Sequence, residues 1–155
     1  DIPKFVVSPH LSLLLKNLFN AKTYFIGQFI DRKIFYPSNN KNFSNVLNII
    51  VIGPFEVDFK NISTALKGIA MAKHKIPLQL IRVSQFPISE QERKIIEPQL
   101  YYHYLPADKM GDIYRMADIF ISVSKEAEGF GLPALEAMAS GVPTILSKIS
   151  SYLNF

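Results

Sequence analysis

Beyond residue 45 the hydrophobic and polar positions form a repeating pattern, in which short apolar runs alternate with longer segments of helical periodicity. The predicted strands of this region are 46–52, 78–83, 101–105, 118–123 and 144–146. Each interval between them is long enough for a helix to cross back over a sheet. The alternation therefore predicts an α/β fold, with a Rossmann-like parallel sheet and helices on both of its faces.

Residue types at the ends of the predicted helices agree with these boundaries. Asn61 and Asp108 are of the kind that caps helix N-termini, and Ser89 with Glu92 has the spacing of a capping box. Gly141 stands where a left-handed helix end is expected. The predicted helices are 62–73, 90–96, 109–116 and one that follows the glycine turn at 129–131.

The first 45 residues are less regular. A strand is predicted at 5–7, a helix over 11–19 and a second strand at 23–26. The segment 38–45 is polar and rich in turn-forming residues, which makes it the best candidate for a linker. Because the chain begins with neither Met nor a signal peptide, we expect it to be excised from a longer protein.

Composition narrows the functional classes only in part. The chain has 155 residues, of which 48% are hydrophobic, so it is long enough to form one domain with a core. Its formal net charge of +4 is small and scattered, and it fits an anionic small molecule, a membrane surface or nucleic acid equally well. The absence of Cys excludes disulfides, thiolate metal ligands and a Cys nucleophile.

Residues 128–143 hold the strongest chemical motif. Glu128 and Glu136 stand on either side of a Gly-Phe-Gly turn that follows an apolar strand and opens a helix. Backbone N–H groups at such a turn, together with the positive helix end, suit a phosphate. Carboxylates beside the turn suit the hydroxyls of a sugar or ribose, because they can accept two hydrogen bonds. The alternative is that both are exposed acids of the kind favoured at helix starts.

No metal site is expected from the sequence. His10, His74 and His103 lack the spacing of metal ligands, and there is no Asp-x-Asp pair to hold a metal against a sugar nucleotide. His103 stands between tyrosines in a predicted strand, and we interpret it as structural.

The run from Ser124 to Pro143 strongly resembles the donor-site motif of retaining GT-B glycosyltransferases of the group 1 type, in which two glutamates are separated by seven residues. Upstream, the segments 26–37, 51–61 and 112–124 resemble the interdomain segment of that family, its first donor-domain strand with a phosphate-facing lysine, and the helix and strand before the motif. The resemblance implies that residues 1–42 are the tail of the first GT-B domain with the linker. Residues 43–155 would be the nucleotide-sugar-binding Rossmann-like domain, and the donor half would be incomplete at both ends.

The resemblance also assigns roles to individual residues. Glu128 and Lys60 would be catalytic, the first contacting the transferred sugar and the second neutralising the diphosphate as it leaves. Glu136 would accept hydrogen bonds from the ribose hydroxyls. Backbone groups would hold the phosphates and the base. The further donor-binding residues would be Gly53, Tyr104, Leu105, Gly129, Phe130, Gly131 and Leu132.

Three departures from the family pattern concern the diphosphate clamp and the linker. Pro54 stands where the family usually has an arginine, so the clamp would depend on one lysine. The second strand ends at Ser84 without a glycine-rich turn. Arg82 within it could substitute for the missing cation, but it is expected at the surface, as mid-strand arginines usually are. Gln28 and Phe29 replace an Asn-Gly pair that the linker commonly has.

The resemblance thus implies an enzyme that transfers a sugar from a nucleoside-diphosphate sugar to a glycan, lipid or other acceptor, with retention and without metal or cofactor. Its partners would be the sugar nucleotide and a carbohydrate or lipid-linked acceptor, and not nucleic acid. The expected location is the cytoplasm, with peripheral membrane association through the first domain as an option. Two alternatives stay open, a non-catalytic GT-B-like interaction or regulatory module and another GT-B chemistry such as sugar-nucleotide epimerisation.

Overall fold

A computed structural model describes residues 2–39 and 44–155, and its centre is a five-stranded parallel sheet. The strands of this sheet are β3 (Leu47–Ile52), β4 (Leu78–Ser84), β5 (Leu100–His103), β6 (Ile119–Ser122) and β7 (Thr144–Leu146). Their spatial order is β5-β4-β3-β6-β7, with every pair parallel. The predicted Rossmann-like sheet is confirmed, and its strand order reverses between β3 and β6.

Helices cover both faces of this sheet. They are α2 (Ile62–Lys73), α3 (Glu90–Ile95), α4 (Met110–Met116) and α5 (Leu132–Ala139). On one face Ile49 and Leu80 pack with residues of α2. On the other face Ile50, Ile81 and Phe120 pack with residues of α4 and α5. Successive strand residues point to opposite faces, so β3 and β4 are mainly apolar on both sides, with Arg82 of β4 as a buried exception.

The N-terminal part forms a separate small parallel pair, in which α1 (Pro9–Phe19) joins β1 (Lys4–Val6) to β2 (Thr23–Phe25). No residue of α1 is buried, and Leu18 and Phe19 stay largely exposed. Ser8, just before the helix, is fully buried and donates a hydrogen bond to the carbonyl oxygen of Gly129 at 3.0 Å. The small pair therefore contacts the larger sheet at the Gly-Phe-Gly turn.

The segment between the two sheets packs closely on α4. Phe35 is buried in the same core as Ile50, and Arg115 donates a hydrogen bond to the carbonyl oxygen of Ile34 at 2.9 Å. A Cβ on Gly111 would lie 2.0 Å from that same oxygen, so only glycine allows the two backbones to approach this closely. Part of the predicted linker 38–45, including the division between residues 42 and 43, lies outside the described residues.

Two predicted helix caps are wrong in detail. Asn61 stands at the N-cap position of α2, but its amide donates to the carbonyl oxygen of Val123 at 3.0 Å and makes no cap bond to the helix. Asp108 lies inside a 3-10 turn, and α4 begins at Met110. At α3 the Ser89 half of the predicted capping box is present, since Ser89 accepts from the backbone N–H of Glu92 at 3.2 Å, but the Glu92 side chain pairs with Arg82 instead of completing the box. Tertiary partners thus compete with local caps for the same side chains.

The predicted strand 101–105 ends two residues early. β5 stops at His103, which is exposed, and Tyr104 adopts a left-handed backbone with φ of 56°. The left-handed turn ends the strand because it redirects the chain away from the sheet plane. Within the described residues, none of the helices combines the length and hydropathy needed to cross a bilayer.

Candidate functional site

The residues singled out by the sequence gather at the carboxyl ends of β3 and β6, where the strand order reverses. In open parallel sheets this crevice is the usual place for a ligand. Gly53 follows β3 directly, with φ of +124°, a conformation that side-chain-bearing residues rarely adopt. A Cβ at this position would already touch the stem of Lys60 at 3.6 Å. Such a distance is an ordinary contact, so the positive φ, and not the space beside Lys60, is what favours glycine here.

Lys60 and Glu128 form an ion pair across this crevice. The lysine Nζ lies 2.7 Å from Oε2 of the glutamate, and the two side chains are 20% and 9% exposed. Lys60 ends a 3-10 turn, Asp58–Lys60. This turn is held against the loop between β6 and α5, because the backbone N–H of Lys125 in that loop donates to the carbonyl oxygen of Phe59 at 2.8 Å. The structure therefore brings together the two residues expected to be catalytic, and it pairs them with each other.

A chain of hydroxyl groups extends from Glu128 into the core. Ser124 donates to Oε2 of Glu128 at 3.2 Å, and the Tyr152 hydroxyl lies 3.3 Å from the Ser124 Oγ and 2.6 Å from the Ser122 Oγ. Burial raises the pKa of Tyr152, so it stays a neutral hydroxyl. These contacts fix the orientation of the glutamate carboxylate. They could not be predicted from the sequence, because none of the three hydroxyl residues belongs to a local motif.

The Gly-Phe-Gly turn is shaped by close contact with Tyr152. Gly131 has φ of +89°, and a Cβ there would lie only 2.3 Å from Cε1 of the tyrosine ring. By contrast, a Cβ on Gly129 would meet no atom within 4 Å. Among residues 2–39 and 44–155, no acceptor is found for the backbone N–H groups of Phe130, Gly131 and Leu132. These donors lie at the start of α5, where the helix dipole adds positive potential.

Glu136 lies one turn further along α5, and its partner is Tyr114 of α4. The Tyr114 hydroxyl lies 2.9 Å from Oε2 of Glu136 and also 2.9 Å from the carbonyl oxygen of Pro133. Burial raises the pKa of Glu136, while the hydrogen bond from Tyr114 acts in the opposite direction. Burial and the neighbouring carboxylate raise the pKa of Tyr114 well above its usual range. The hydroxyl is therefore the donor in this pair.

Glu136 forms one wall of a cavity of about 270 Å³ at the same sheet edge. Tyr104 and Leu105, two of the predicted donor-binding residues, line it as well. The other lining residues are Ile52, Val83, Ser84, Gln85, Ala107, Met110 and Pro133. The cavity therefore combines a mainly apolar lining with one carboxylate and the exposed Tyr104. This lining suits a ligand that has a flat, mainly apolar part and a part that bears hydroxyl groups.

The expectation that Arg82 lies at the surface is wrong. Its side chain is fully buried, Nε lies 2.6 Å from Oε1 of Glu92, and its other nitrogens donate to the carbonyl oxygens of Val51 and Gly53 at 2.7 and 2.9 Å. A buried arginine needs such a partner set, because an unpaired charge in the core is costly. Arg82 thus holds the end of β3 and does not point into the crevice to replace the cation missing at Pro54.

The predicted residues fall into two groups at one edge of the sheet. One group surrounds the Lys60–Glu128 pair and the glycine turn, and the other surrounds the cavity with Glu136. The sequence did not identify three residues that hold the two glutamates. Tyr114 bonds Glu136, Ser124 bonds Glu128, and Tyr152 bonds Ser124. Tyr114 lies in the predicted helix 109–116, where its hydroxyl gives no signal. Within the described part of the chain, no group of three or more His, Cys, Asp and Glu side chains could hold a metal ion.

Comparison with known proteins points to one family. Residues 39–154 match the family described as Glycosyl transferases group 1. Mannosylfructose-phosphate synthase of Agrobacterium fabrum (strain C58 / ATCC 33970) is 48% identical over 44 residues, which are 28% of this chain and 10% of that protein. O-antigen chain mannosyltransferase B of Escherichia coli is 43% identical over 51 residues, which are 33% of this chain and 13% of that protein. The matched segments thus span only about a tenth of these relatives.

Solved structures agree in fold. A glycosyltransferase from Rickettsia africae ESF-5 aligns with a TM-score of 0.75 at 20% identity, covering 95% of this chain and 44% of that one. The pneumococcal O-GlcNAc transferase GtfA, solved with UDP and GlcNAc, aligns with a TM-score of 0.74 at 21% identity, covering 95% and 30%. The C-terminal domain of the group 1 protein LpcC from Francisella tularensis aligns with a TM-score of 0.65 at 22% identity, covering 80% and 73%.

The family match covers most of the chain and includes both glutamates, the glycine turn and Lys60. The five-stranded sheet, ordered β5-β4-β3-β6-β7, has the Rossmann-like architecture of the aligned C-terminal domain. The chain therefore belongs to the glycosyl transferases group 1 family and has the fold of the C-terminal domain of a GT-B glycosyltransferase.

Proposed function

We propose that the whole protein transfers a sugar from a nucleoside-diphosphate sugar to a carbohydrate or lipid-linked acceptor, with retention of configuration and without a metal. The observation that carries this proposal is the position of the Lys60–Glu128 pair beside the N–H groups of the glycine turn, which have no acceptor among the described residues. A cavity ending at Glu136 lies at the same sheet edge. This edge can accommodate an anionic group and a hydroxyl-bearing apolar group at once.

The donor would lie across both groups of residues. Its base would enter the cavity beside Tyr104 and Leu105, and its ribose hydroxyls would donate to Glu136. The diphosphate would accept from the N–H groups at the start of α5 and from Lys60. The transferred sugar would then meet Glu128, whose Oε1 is left open by the contacts at Oε2. Support for this arrangement comes from the neighbour GtfA, which was solved with UDP and GlcNAc.

Lys60 would supply the electrostatic part of the reaction. When the bond between the sugar and the diphosphate breaks, negative charge develops on the leaving phosphate oxygen. A lysine held in place by a carboxylate can offer its ammonium protons to that oxygen without reorganisation. The acceptor oxygen forms the new bond to the sugar carbon on the same face, and the acceptor proton passes to the departing diphosphate. The charge balance of this step does not call for a metal ion.

The clamp would depend on one lysine, since Pro54 takes the place of a second cation and Arg82 is buried against Glu92. Because Lys60 is already paired with Glu128, its positive charge would be shared between that carboxylate and the diphosphate. This feature favours the second candidate function, a non-catalytic module that keeps the fold. Product analysis would in turn reveal a third chemistry, epimerisation of the sugar nucleotide.

We further propose that residues 1–42 are the tail of a first domain with the linker and that residues 43–155 form the donor domain. The unburied apolar side chains of α1, among them Leu18 and Phe19, support a further layer of protein on this side. In this arrangement the acceptor would bind on the first domain, and the enzyme would act in the cytoplasm.

The proposal is tested by titrating UDP, GDP, ADP and dTDP into the whole protein by calorimetry. Binding of one of them, followed by sugar transfer from the matching donor, is the expected result. Glu128→Gln and Lys60→Ala should each lower turnover by more than about tenfold, because each removes a charge-assisted contact to the reacting groups. Glu136→Ala should mainly weaken nucleotide binding. If no nucleotide binds at millimolar concentration, the enzyme proposal is wrong and the non-catalytic alternative is favoured.

A further inference from the structure

Tyr114 is the most deeply buried polar side chain next to the proposed donor site. It is fully inaccessible to solvent, and its ring packs against Phe35 and Phe120 at centroid distances of 5.9 and 6.1 Å. Close packing against two aromatic neighbours in the core leaves the ring little freedom to tilt. The position of its hydroxyl is therefore fixed by the core and not by the site.

The hydroxyl has one hydrogen and two acceptors at the same distance. Oε2 of Glu136 and the carbonyl oxygen of Pro133 each lie 2.9 Å away, and only one of them can receive the hydrogen. A charged acceptor forms the stronger bond, so an ionised Glu136 takes it. The carboxylate is then held at one oxygen by a rigid donor.

This contact leaves the other carboxylate oxygen for a ligand. Among residues 2–39 and 44–155, Oε1 of Glu136 accepts no hydrogen bond, while Oε2 keeps a second lone pair. Two acceptors at fixed positions match two hydroxyls on neighbouring carbons. A ligand that lacks one of these hydroxyls would leave an acceptor in a half-buried place without a partner.

We propose that Tyr114 is a positioning residue, which holds the Glu136 carboxylate so that the site selects ribonucleotides over 2′-deoxyribonucleotides. The inference rests on the proposed function, since it concerns the nucleotide of the same donor. Without the tyrosine hydroxyl the carboxylate can turn about its last bond. It then adapts to a single hydroxyl, and the preference for ribose falls.

The ionisation of Glu136 gives a second, independent readout. Burial raises its pKa and the bond from Tyr114 opposes this, so loss of the hydroxyl raises the pKa further. Of the described residues that line the cavity with Glu136, Tyr104 is the other titratable one. As the pH is lowered, nucleotide affinity should therefore begin to fall at a higher pH in a variant without the Tyr114 hydroxyl than in the wild type.

The test compares UDP, GDP and ADP with their 2′-deoxy counterparts by calorimetry on the whole protein, using the base that binds most tightly. Wild type should prefer the ribonucleotide by about 10- to 100-fold, the range for one hydrogen bond to a charged group. Tyr114→Phe keeps the ring and should reduce this preference to a few-fold, while the acid limb of the affinity profile moves to higher pH. Tyr101→Phe is the matched control, because it loses a hydroxyl bonded to the carbonyl oxygen of Phe86, and it should change neither readout.

Three results separate the possible failures. An unchanged ribose preference in Tyr114→Phe, with nucleotide still bound, overturns the role of Tyr114 and leaves the proposed function intact. Absence of nucleotide binding by the wild type overturns both. Thermal unfolding of each variant identifies a folding defect, and Tyr114→Met then repeats the comparison with a second side chain that lacks the hydroxyl.

Discussion

Replacing Gly131 by Ala tests whether the glycine turn is fixed by Tyr152. The added Cβ would lie 2.3 Å from Cε1 of the ring, where nothing closer than 3.0 Å is normally found. The ring cannot move aside freely, because its hydroxyl is 2.6 Å from the Ser122 Oγ. The backbone at φ of +89° is a second obstacle, since a side-chain-bearing residue in the left-handed region costs about 1–2 kcal/mol. Overpacking adds about 1–3 kcal/mol, so we expect a total loss of roughly 2–5 kcal/mol.

Urea unfolding followed by circular dichroism measures this loss, which is convenient because the sequence contains no Trp. Gly129→Ala is the matched control, because a Cβ there meets nothing within 4 Å, and its effect should stay below about 1 kcal/mol. In a Tyr152→Leu background the clash disappears and the backbone cost remains, so Gly131→Ala should then cost only about 1–2 kcal/mol. Equal losses for the two glycine variants, or equal losses in both backgrounds, would refute the reasoning.

Three further predictions concern charged side chains. Glu92→Gln should lower the unfolding free energy by about 3–5 kcal/mol, because it leaves the buried Arg82 without a counterion, and a denaturation midpoint close to wild type would contradict this. Lys60→Met should weaken binding of a nucleoside diphosphate by about tenfold and leave the parent nucleoside unaffected, as calorimetry can show; equal losses for both would exclude a phosphate contact. A carboxyl with a raised pKa, as Glu136 has, binds its proton more tightly in the folded state and loses this stabilisation as pH rises. As the pH rises from 4 to 7, the interval around and above the ordinary carboxyl pKa of 4.5, the unfolding free energy of Glu136→Gln should therefore increase relative to that of the wild type. A difference between the two that does not change with pH would contradict this prediction.

Local pattern was sufficient for the architecture because the sheet is parallel and buried on both faces. Such strands are mainly apolar runs, and the segments 46–52 and 78–83 were recognisable without any knowledge of their neighbours. The same property made the direction of Arg82 unpredictable. In a strand with no solvent face, alternation does not show where a polar side chain points, and only the presence of Glu92 beneath the strand makes burial possible.

Helix ends were predicted less well than helix interiors for a related reason. The periodicity of residues 62–73 follows from the face that packs on the sheet. The residues just before such helices have small polar side chains with several partners within reach. The Asn61 amide donates to the loop after β6, and its oxygen accepts from the Thr64 hydroxyl and not from a backbone N–H of α2, while Ser89 caps α3 as expected. Whether such a side chain caps its helix depends on which of the nearby hydrogen bonds is stronger, and the sequence does not show the relative strength of these bonds.

The sequence by itself determined the family, the alternation of strands and helices, and the Gly-Phe-Gly turn between Glu128 and Glu136. Each of these features depends on the types and spacing of residues that are near one another along the chain. Only the tertiary structure decided how the two acids are held. Lys60 reaches Glu128 across 68 positions, and Tyr114 reaches Glu136 across 22. Such pairs depend on which loops meet at the strand ends and on how far a side chain can extend in a packed core. These are properties of the assembled sheet, and no local pattern encodes them.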